Sequence, residues 1–214
     1  MRKQSRNHFI KSCLYFIFSG FSTVFISHCA GSKKSNPDFE PAYLSLYRSG
    51  ELKKRGEDLW NLMESCELCP RTCGINRLKG NEGFCHASSQ LEVSAYNPHF
   101  GEERPLVGRG GSGTIFFTNC GLICVFCINW EISQGGRGES ASIEKLADMM
   151  IDLQKIGCHN INIVTPTHYS SHILLAVDVA AGKGLRLPLV YNTCGWERLE
   201  ILKVLDGIVD IYLP

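Results

Sequence analysis

Short apolar runs alternate with stretches of helical spacing in the second half of the chain. The apolar runs predict four strands, which cover residues 114–118, 161–164, 189–193 and 208–213. Between them, apolar residues at helical spacing predict helices that cover residues 143–156, 171–181 and 196–205. Ser142 is placed to cap the first of these helices, and Gly157 is placed to end it. Strand, helix and strand in this order predict right-handed parallel βαβ units, either in a barrel or in an open doubly wound sheet.

The rest of the chain lacks this alternation and divides into three segments before residue 111. Residues 1–30 place basic residues ahead of the uncharged run CLYFIFSGFSTVFIS, which predicts a signal-like or membrane-anchor segment. Residues 31–62 are polar and then mildly helical, and they form a lead-in. Residues 63–110 are rich in Cys, Gly, Asn and Arg and have no long periodic segment. We therefore expect residues 63–110 to be loops held together by a metal.

Composition and charge narrow the class of protein only slightly. The chain has 214 residues and 44% hydrophobic content, enough for one ordinary domain with a small appendage. Its formal net charge is +1, with both signs scattered along the sequence. No basic groove for nucleic acid is indicated, and we expect no nucleic-acid partner.

The cysteines are more informative, because most of the 11 fall in two groups. Neighbouring cysteines two or three residues apart rarely reach disulfide geometry, whereas such spacing suits metal ligation. The first group supplies four thiols in a glycine-rich stretch: Cys66, Cys69, Cys73 and Cys85. Four thiols suffice for a closed zinc site or for a fully ligated iron–sulfur cluster, and the sequence leaves that choice open.

The second group lies in the stretch NCGLICVFCINW and contains Cys120, Cys124 and Cys127. This stretch directly follows the first predicted strand, and the carboxyl ends of parallel strands are where α/β enzymes place their catalytic residues. Three thiolates can bind three irons of a four-iron, four-sulfur cluster, which ordinarily takes a fourth cysteine. With no fourth cysteine nearby, one iron is left open to a substrate or cofactor.

This spacing, with Phe126 just before the last cysteine, resembles the signature of the radical S-adenosylmethionine enzymes. The stretch HFGEERPLVGRGGSGTIFFTNCGLICVFCINWEIS is similar to the branch that contains the pyruvate formate-lyase activating enzymes. The resemblance implies that residues 111–214 form a partial parallel (β/α) barrel, incomplete after its fourth strand. It also implies an activity, in which one electron from the cluster cleaves S-adenosylmethionine to a 5'-deoxyadenosyl radical for hydrogen abstraction. Because the family's barrel continues for further βα units, we expect the chain ending at Pro214 to be a fragment.

The resemblance also implies residues that contact the cofactor. Phe126 corresponds to a neighbour of the adenine, and Asn129 is expected to shape the loop around the cluster. Thr165 and His168 stand after the second strand, where the family has a Gly-Gly-Glu element that holds the amino group. Asn192, at the end of the third strand, is expected to reach the ribose or the methionyl part, or else to be an ordinary turn residue.

Two alternatives to this enzyme remain open from the sequence. In one, the chain is an iron–sulfur or zinc module for binding or electron transfer, and Cys158 or Cys194 completes the three-cysteine site. In the other, the chain is an inactive fragment. For the enzyme, the resemblance implies S-adenosylmethionine, a reductant such as flavodoxin or ferredoxin, and a protein substrate, by analogy a glycyl residue of a partner.

The compartment is also left open. The cofactor chemistry favours the cytoplasm, where S-adenosylmethionine is made. Residues 5–11, however, resemble a twin-arginine export signal in which Asn7 replaces the second arginine. Export of a folded protein and attachment to a membrane through residues 1–30 are therefore the alternatives.

Overall fold

A six-stranded mixed sheet forms the centre of residues 39–214, which are the residues that this computed structural model describes. The signal-like segment predicted for residues 1–30 lies outside the described residues. The strands are β1 Leu91–His99, β2 Ser112–Phe117, β3 Glu139–Ala141, β4 Ile161–Val164, β5 Leu189–Asn192 and β6 Ile211–Leu213. Their order across the sheet is β3-β1-β2-β4-β5-β6.

Seven α-helices accompany the sheet within the described residues: α1 Tyr43–Ser49, α2 Glu51–Asn61, α3 Arg104–Val107, α4 Trp130–Ser133, α5 Ile143–Ile156, α6 Ser170–Gly182 and α7 Leu199–Leu205. Short 3-10 turns occupy Leu62–Ser65, Arg77–Lys79 and Thr167–Tyr169. The buried apolar side chains of the sheet, α2, α5 and α6 form one continuous core. Gly56 of α2 allows a close approach to α6, because an added Cβ would stand 2.8 Å from the Leu175 side chain.

The parallel half of the sheet confirms the predicted alternation. β2, β4, β5 and β6 pair in parallel, and each corresponds to one of the four predicted strands. Helix α5 begins after Ser142, whose hydroxyl oxygen accepts a hydrogen bond from the backbone N–H of Lys145 at 3.1 Å. It ends at Gly157, which has the left-handed φ of 101° that favours glycine at this position.

The antiparallel half of the sheet was not predicted from the sequence. β1 lies inside residues 63–110, which we expected to be loops, and it pairs antiparallel with both β2 and β3. Only the first part of β1 alternates between buried and partly buried residues, and its pairing with β2 is irregular between Val93 and Ala95. This irregularity and Pro98 near its end obscure the period of two that identifies a strand.

The described residues form an open α/β sheet, with β3 and β6 at its edges, and they do not close a barrel. The predicted helix over residues 196–205 is shorter in the structure, where α7 begins at Leu199. Residues 193–198 instead form an irregular segment after β5. Within residues 39–214, no helix has the length and apolar character needed to cross a membrane.

Candidate functional site: a cysteine-lined cleft

The carboxyl ends of three parallel strands meet at one edge of the sheet. Phe116 of β2 lies opposite Val164 of β4, and Val164 lies opposite Asn192 of β5. The three-cysteine loop follows β2 directly, so this register places it beside the residues that follow β4 and β5. Side chains from three separate stretches of the sequence therefore surround the same space.

That space is a cleft of about 570 Å³, including the part open to solvent. The walls combine thiols and polar groups with apolar side chains. The thiols and polar groups come from Asn119, Cys120, Cys124, Cys127, Asn129, Ser133, Thr165 and Cys194. The apolar walls come from Phe116, Phe117, Leu122, Ile132 and Val164.

Local hydrogen bonds hold the three-cysteine loop in shape. The backbone N–H of Leu122 donates to the Cys120 sulfur at 3.4 Å, and the Cys127 sulfur lies 3.2 Å from the Ser133 hydroxyl oxygen. Gln134 Nε2 donates to the Cys124 carbonyl oxygen at 2.8 Å. Helix α4 follows the loop and supplies Ser133, so this short helix helps to fix the positions of the thiols.

Three residues beside the cleft adopt left-handed backbone conformations that side chains other than glycine seldom take. They are Asn119 with φ 68°, Ile123 with φ 53° and Thr165 with φ 50°. Ile123 and Thr165 are β-branched, for which this region is especially unfavourable. Such residues cost about 1–3 kcal/mol each and cluster at functional sites.

The structure brings some of the predicted cofactor residues to the cleft and leaves others outside it. Asn129 and Thr165 line it, and His168 lines a smaller adjoining cavity. Phe126 is 82% exposed and lines neither cavity. Asn192 is partly buried at the end of β5, lines neither cavity, and its carbonyl oxygen accepts a hydrogen bond from the Thr165 N–H at 2.7 Å.

His168 and His172 are both buried, and both rings are held by backbone carbonyl groups. His168 Nε2 lies 2.8 Å from the Thr118 carbonyl oxygen, while its Nδ1 is buried without a hydrogen-bond partner. His172 Nε2 lies 2.9 Å from the Ser89 carbonyl oxygen. Burial lowers the pKa of His168 to about 3 and the pKa of His172 to about 4. Both rings are therefore neutral near pH 7.

Sequence reasoning did not select Glu197, which joins the loops after β4 and β5. One carboxylate oxygen accepts hydrogen bonds from the hydroxyl groups of Thr167 and Thr193. The other oxygen, Oε2, is buried without a partner, and burial raises the pKa of this carboxyl group. Its position a few residues after a predicted strand was the only signal in the sequence that could have indicated it.

The two remaining cysteines considered as extra ligands lie in different places. Cys194 follows β5 and lines both cavities together with Cys120. Cys158 is buried just before β4, and so lies at the opposite edge of the parallel strands from the three-cysteine loop. Of the two, only Cys194 is placed to complete the three-cysteine site.

The four thiols of the first group also lie close to one another. Burial raises the pKa of Cys69, and the neighbouring thiols of Cys85, Cys66 and Cys73 raise it further. Burial opposes ionisation of Cys73 as well, but backbone N–H groups, of Ile75 among others, donate to its sulfur and lower its pKa. Within residues 39–214, no three His, Cys, Asp or Glu side chains already form a site for a single metal ion.

The fold and the cleft define a mixed α/β protein with a thiol-lined site at the carboxyl edge of its parallel strands. The chain is similar to an uncharacterized protein of Methanocaldococcus jannaschii, with 32% identity over 161 residues. The match covers 72% of this chain and 45% of that protein, so the chain spans about half the length of its relative. No protein-family model matches the chain, and no solved structure matches it.

Proposed function

We propose that the protein is a radical S-adenosylmethionine enzyme whose cluster is held by Cys120, Cys124 and Cys127. One observation carries the proposal: three thiols from a single loop line one cleft at the carboxyl edge of parallel strands. We propose further that the open sheet is part of a partial barrel of the radical S-adenosylmethionine type.

The donor set fits this cofactor. Three thiols are the ligands that iron–sulfur clusters prefer, and hydrogen bonds to the sulfurs, such as that from Leu122 to Cys120, tune such clusters. When bound, the cluster supplies one electron for the cleavage of S-adenosylmethionine to methionine and a 5'-deoxyadenosyl radical. Cys194 shares the cleft as the thiol of a separate loop and, in this proposal, does not ligate the cluster.

The other residues of the cleft would bind and orient the nucleoside. Phe116, Phe117 and Val164 offer apolar walls that exclude water, which matters because a carbon radical must be kept from side reactions. Asn129 and Thr165 offer hydrogen bonds to its polar parts. Phe126 remains the proposed neighbour of the adenine, and Asn192 and His168 remain proposed contacts of the methionyl or ribose parts.

Glu197 places a carboxyl group close to this region. Its Oε2 is buried without a partner, and its other oxygen is held by Thr167, which lines the smaller cavity. A carboxylate so placed would suit the amino group of S-adenosylmethionine, which the family's Gly-Gly-Glu element holds and this chain lacks at residues 165–168. Reduction would come from a donor such as flavodoxin or ferredoxin, and the substrate would be a hydrogen-bearing group of a partner, by resemblance a glycyl residue.

Anaerobic reconstitution tests the proposal. The reduced, reconstituted protein should release 5'-deoxyadenosine from S-adenosylmethionine, measured by chromatography. Cys124→Ala should lose this release together with about four irons per chain, by the stoichiometry of the cluster. Cys158→Ala is the matched control, because it removes a thiol at the opposite edge of the strands. A Cys124→Ala protein that still released 5'-deoxyadenosine would refute the assignment.

A second function is favoured by the position of Cys194. If Cys194 is the fourth ligand, the cluster is closed and the protein is an electron-transfer module without catalysis. The spectrum of the reconstituted protein would then not respond to S-adenosylmethionine, and Cys194→Ala would make it respond. For the enzyme, the parent protein responds, and Cys194→Ala keeps both its iron and its response.

A further inference from the structure

Arg77 is a fully buried positive charge with no carboxylate partner. Its exposed fraction is 0%, and no Asp or Glu within residues 39–214 forms an ion pair with it. Its guanidinium donates to the carbonyl oxygens of Ser88 and His168, and Nη1 lies 3.8 Å from the Cys66 sulfur. A buried charge is costly unless an opposite charge accompanies it. The structure therefore points to a negative charge at the four thiols.

The sulfurs of the four thiols lie close to one another. A Cβ added at Gly83 would stand at an ordinary contact distance, 3.5 Å, from the sulfurs of both Cys73 and Cys85, so these two sulfurs flank the same backbone position. The surrounding chain is held by its own backbone, with the Cys66 N–H donating to the Ile75 carbonyl oxygen at 3.0 Å. The thiols thus stand close together on a loop that backbone hydrogen bonds hold in place.

The place of the four thiols favours a cluster over one zinc ion. They stand beside the three-cysteine loop, and an iron–sulfur cluster there can carry an electron, whereas zinc has no redox chemistry.

The four thiols also adjoin the three-cysteine loop. The Cys69 sulfur would lie 3.5 Å from a Cβ at Gly121, the residue after Cys120, and Cys69 and Cys120 line the same small cavity. Arg71 donates to the Gly121 carbonyl oxygen at 3.2 Å, with its guanidinium 3.8 Å from the centre of the Phe84 ring. The two cysteine groups are therefore in direct contact through these residues.

We propose that Cys66, Cys69, Cys73 and Cys85 hold a second iron–sulfur cluster, with Arg77 as its counter-charge, and that this cluster passes electrons to the one at Cys120. The transfer, unlike the binding, rests on the function proposed above. An external donor of the ferredoxin or flavodoxin class loses one electron to the second cluster. The second cluster then loses that electron to the first, and no proton moves and no bond is made or broken.

Binding is tested in the full chain with Cys120, Cys124 and Cys127 all changed to Ala, which removes the site of the proposed function. After anaerobic reconstitution with iron and sulfide, this protein should retain about four irons per chain. Adding Cys69→Ala should remove them. Retention of one zinc without iron, or of no metal, would overturn the proposal whatever the fate of the three-cysteine site.

The role of Arg77 is tested by the reduction potential of the same triple variant, followed by electron paramagnetic resonance. Removing a buried positive charge makes an added electron less favourable, so Arg77→Met should lower the potential. Arg77→Lys keeps the charge and should largely restore it. Equal potentials in all three proteins would exclude Arg77 as the counter-charge, and the iron content of the triple variant remains decisive if Arg77→Met does not fold.

The contact between the two clusters is tested by electron paramagnetic resonance spectra of the reduced, unsubstituted protein, called the parent here. Two reduced clusters close together broaden each other's signals, so the parent spectrum should differ from the sum of spectra from proteins with one group each. A spectrum equal to that sum would overturn the transfer. If the triple variant binds its cluster while the parent ignores S-adenosylmethionine, the function proposed above fails and this site stands.

Discussion

At the scale of single residues, several residues beside the cleft have left-handed backbone conformations, which other contacts must hold in place. Thr165 is left-handed, and its N–H donates to the Asn192 carbonyl oxygen. Asn119 is also left-handed, and its side chain donates to Glu92 Oε2 at 3.2 Å. These bonds link the strained residues to neighbouring strands, which explains how the sheet can impose conformations that the residues alone would avoid.

Ile123 offers a direct test of this strain. Because Asn tolerates the left-handed region better than a β-branched residue, Ile123→Asn should raise the free energy of unfolding of the metal-free protein by about 1 kcal/mol. Ile128→Asn is the matched control, because Ile128 lies in the same loop, is 93% exposed and has no left-handed φ. Urea unfolding under reducing conditions measures both. Equal effects of the two changes would show that Ile123 stores no strain.

At the scale of elements, the parallel strands and their helices follow local signals. β4 occupies the four predicted residues, and α5 begins and ends at the predicted cap residues. The cap is local chemistry, in which the Ser142 oxygen satisfies an N–H of the first helical turn that would otherwise lack a partner. Local signals of this kind can be identified before the fold is known.

Ser142→Ala should lower the free energy of unfolding by about 1 kcal/mol, because the Lys145 N–H loses its acceptor. Ser142→Asp supplies another oxygen at the same position and should restore most of the loss. Chemical unfolding followed by circular dichroism measures both proteins. If Ser142→Asp were as unstable as Ser142→Ala, the cap would not be the cause.

At the scale of the whole molecule, buried polar contacts join the cysteine-rich segment to the sheet and to α6. Arg77 donates to the His168 carbonyl oxygen at 2.8 Å, and the His168 ring contacts the Thr118 carbonyl group at the end of β2. His172, in α6, contacts the Ser89 carbonyl group. The segment expected to be a separate set of loops is therefore tied to the same folded unit as the sheet.

The two histidines make the stability of this unit depend on pH. Their pKa values in the folded protein, about 3 and about 4, lie below the ordinary value of 6.5. Their contribution is therefore complete above pH 6.5, and it is lost as the pH falls from 6.5 toward 4 because the unfolded chain binds protons first. Each histidine should remove about 1.4 kcal/mol of unfolding free energy per pH unit within this window.

Urea unfolding at a series of pH values measures this loss. His172→Gln removes one of the two groups and should reduce the slope between pH 6 and pH 4.5 by about half. His86→Gln is the matched control, since His86 is exposed. An unchanged slope in His172→Gln would show that protonation of His172 does not drive acid unfolding.

The part of the fold that could be predicted is the part whose signals are local. Helix α5 has helical spacing and its own caps, and β2, β4 and β5 are short apolar runs that are buried almost throughout. β1 and β3 were missed because β1 is irregular and β3 has three residues. Each is a strand only because a strand distant in sequence pairs with it: β2 pairs with β1, and β1 pairs with β3. Whether the sheet closes into a barrel depends on contacts between residues distant in sequence, and local sequence patterns do not predict those contacts.

The sequence by itself determined that three thiols stand together at the end of a parallel strand, because their spacing and the preceding strand are both contained in a short stretch. It also determined that four more thiols form a second group. Only the tertiary structure decided that Cys194 and Glu197 reach the same edge and that the two cysteine groups adjoin at Gly121. It alone placed the unpaired charge of Arg77 beside the four thiols, because strand order and register, which arise from long-range packing, set those distances.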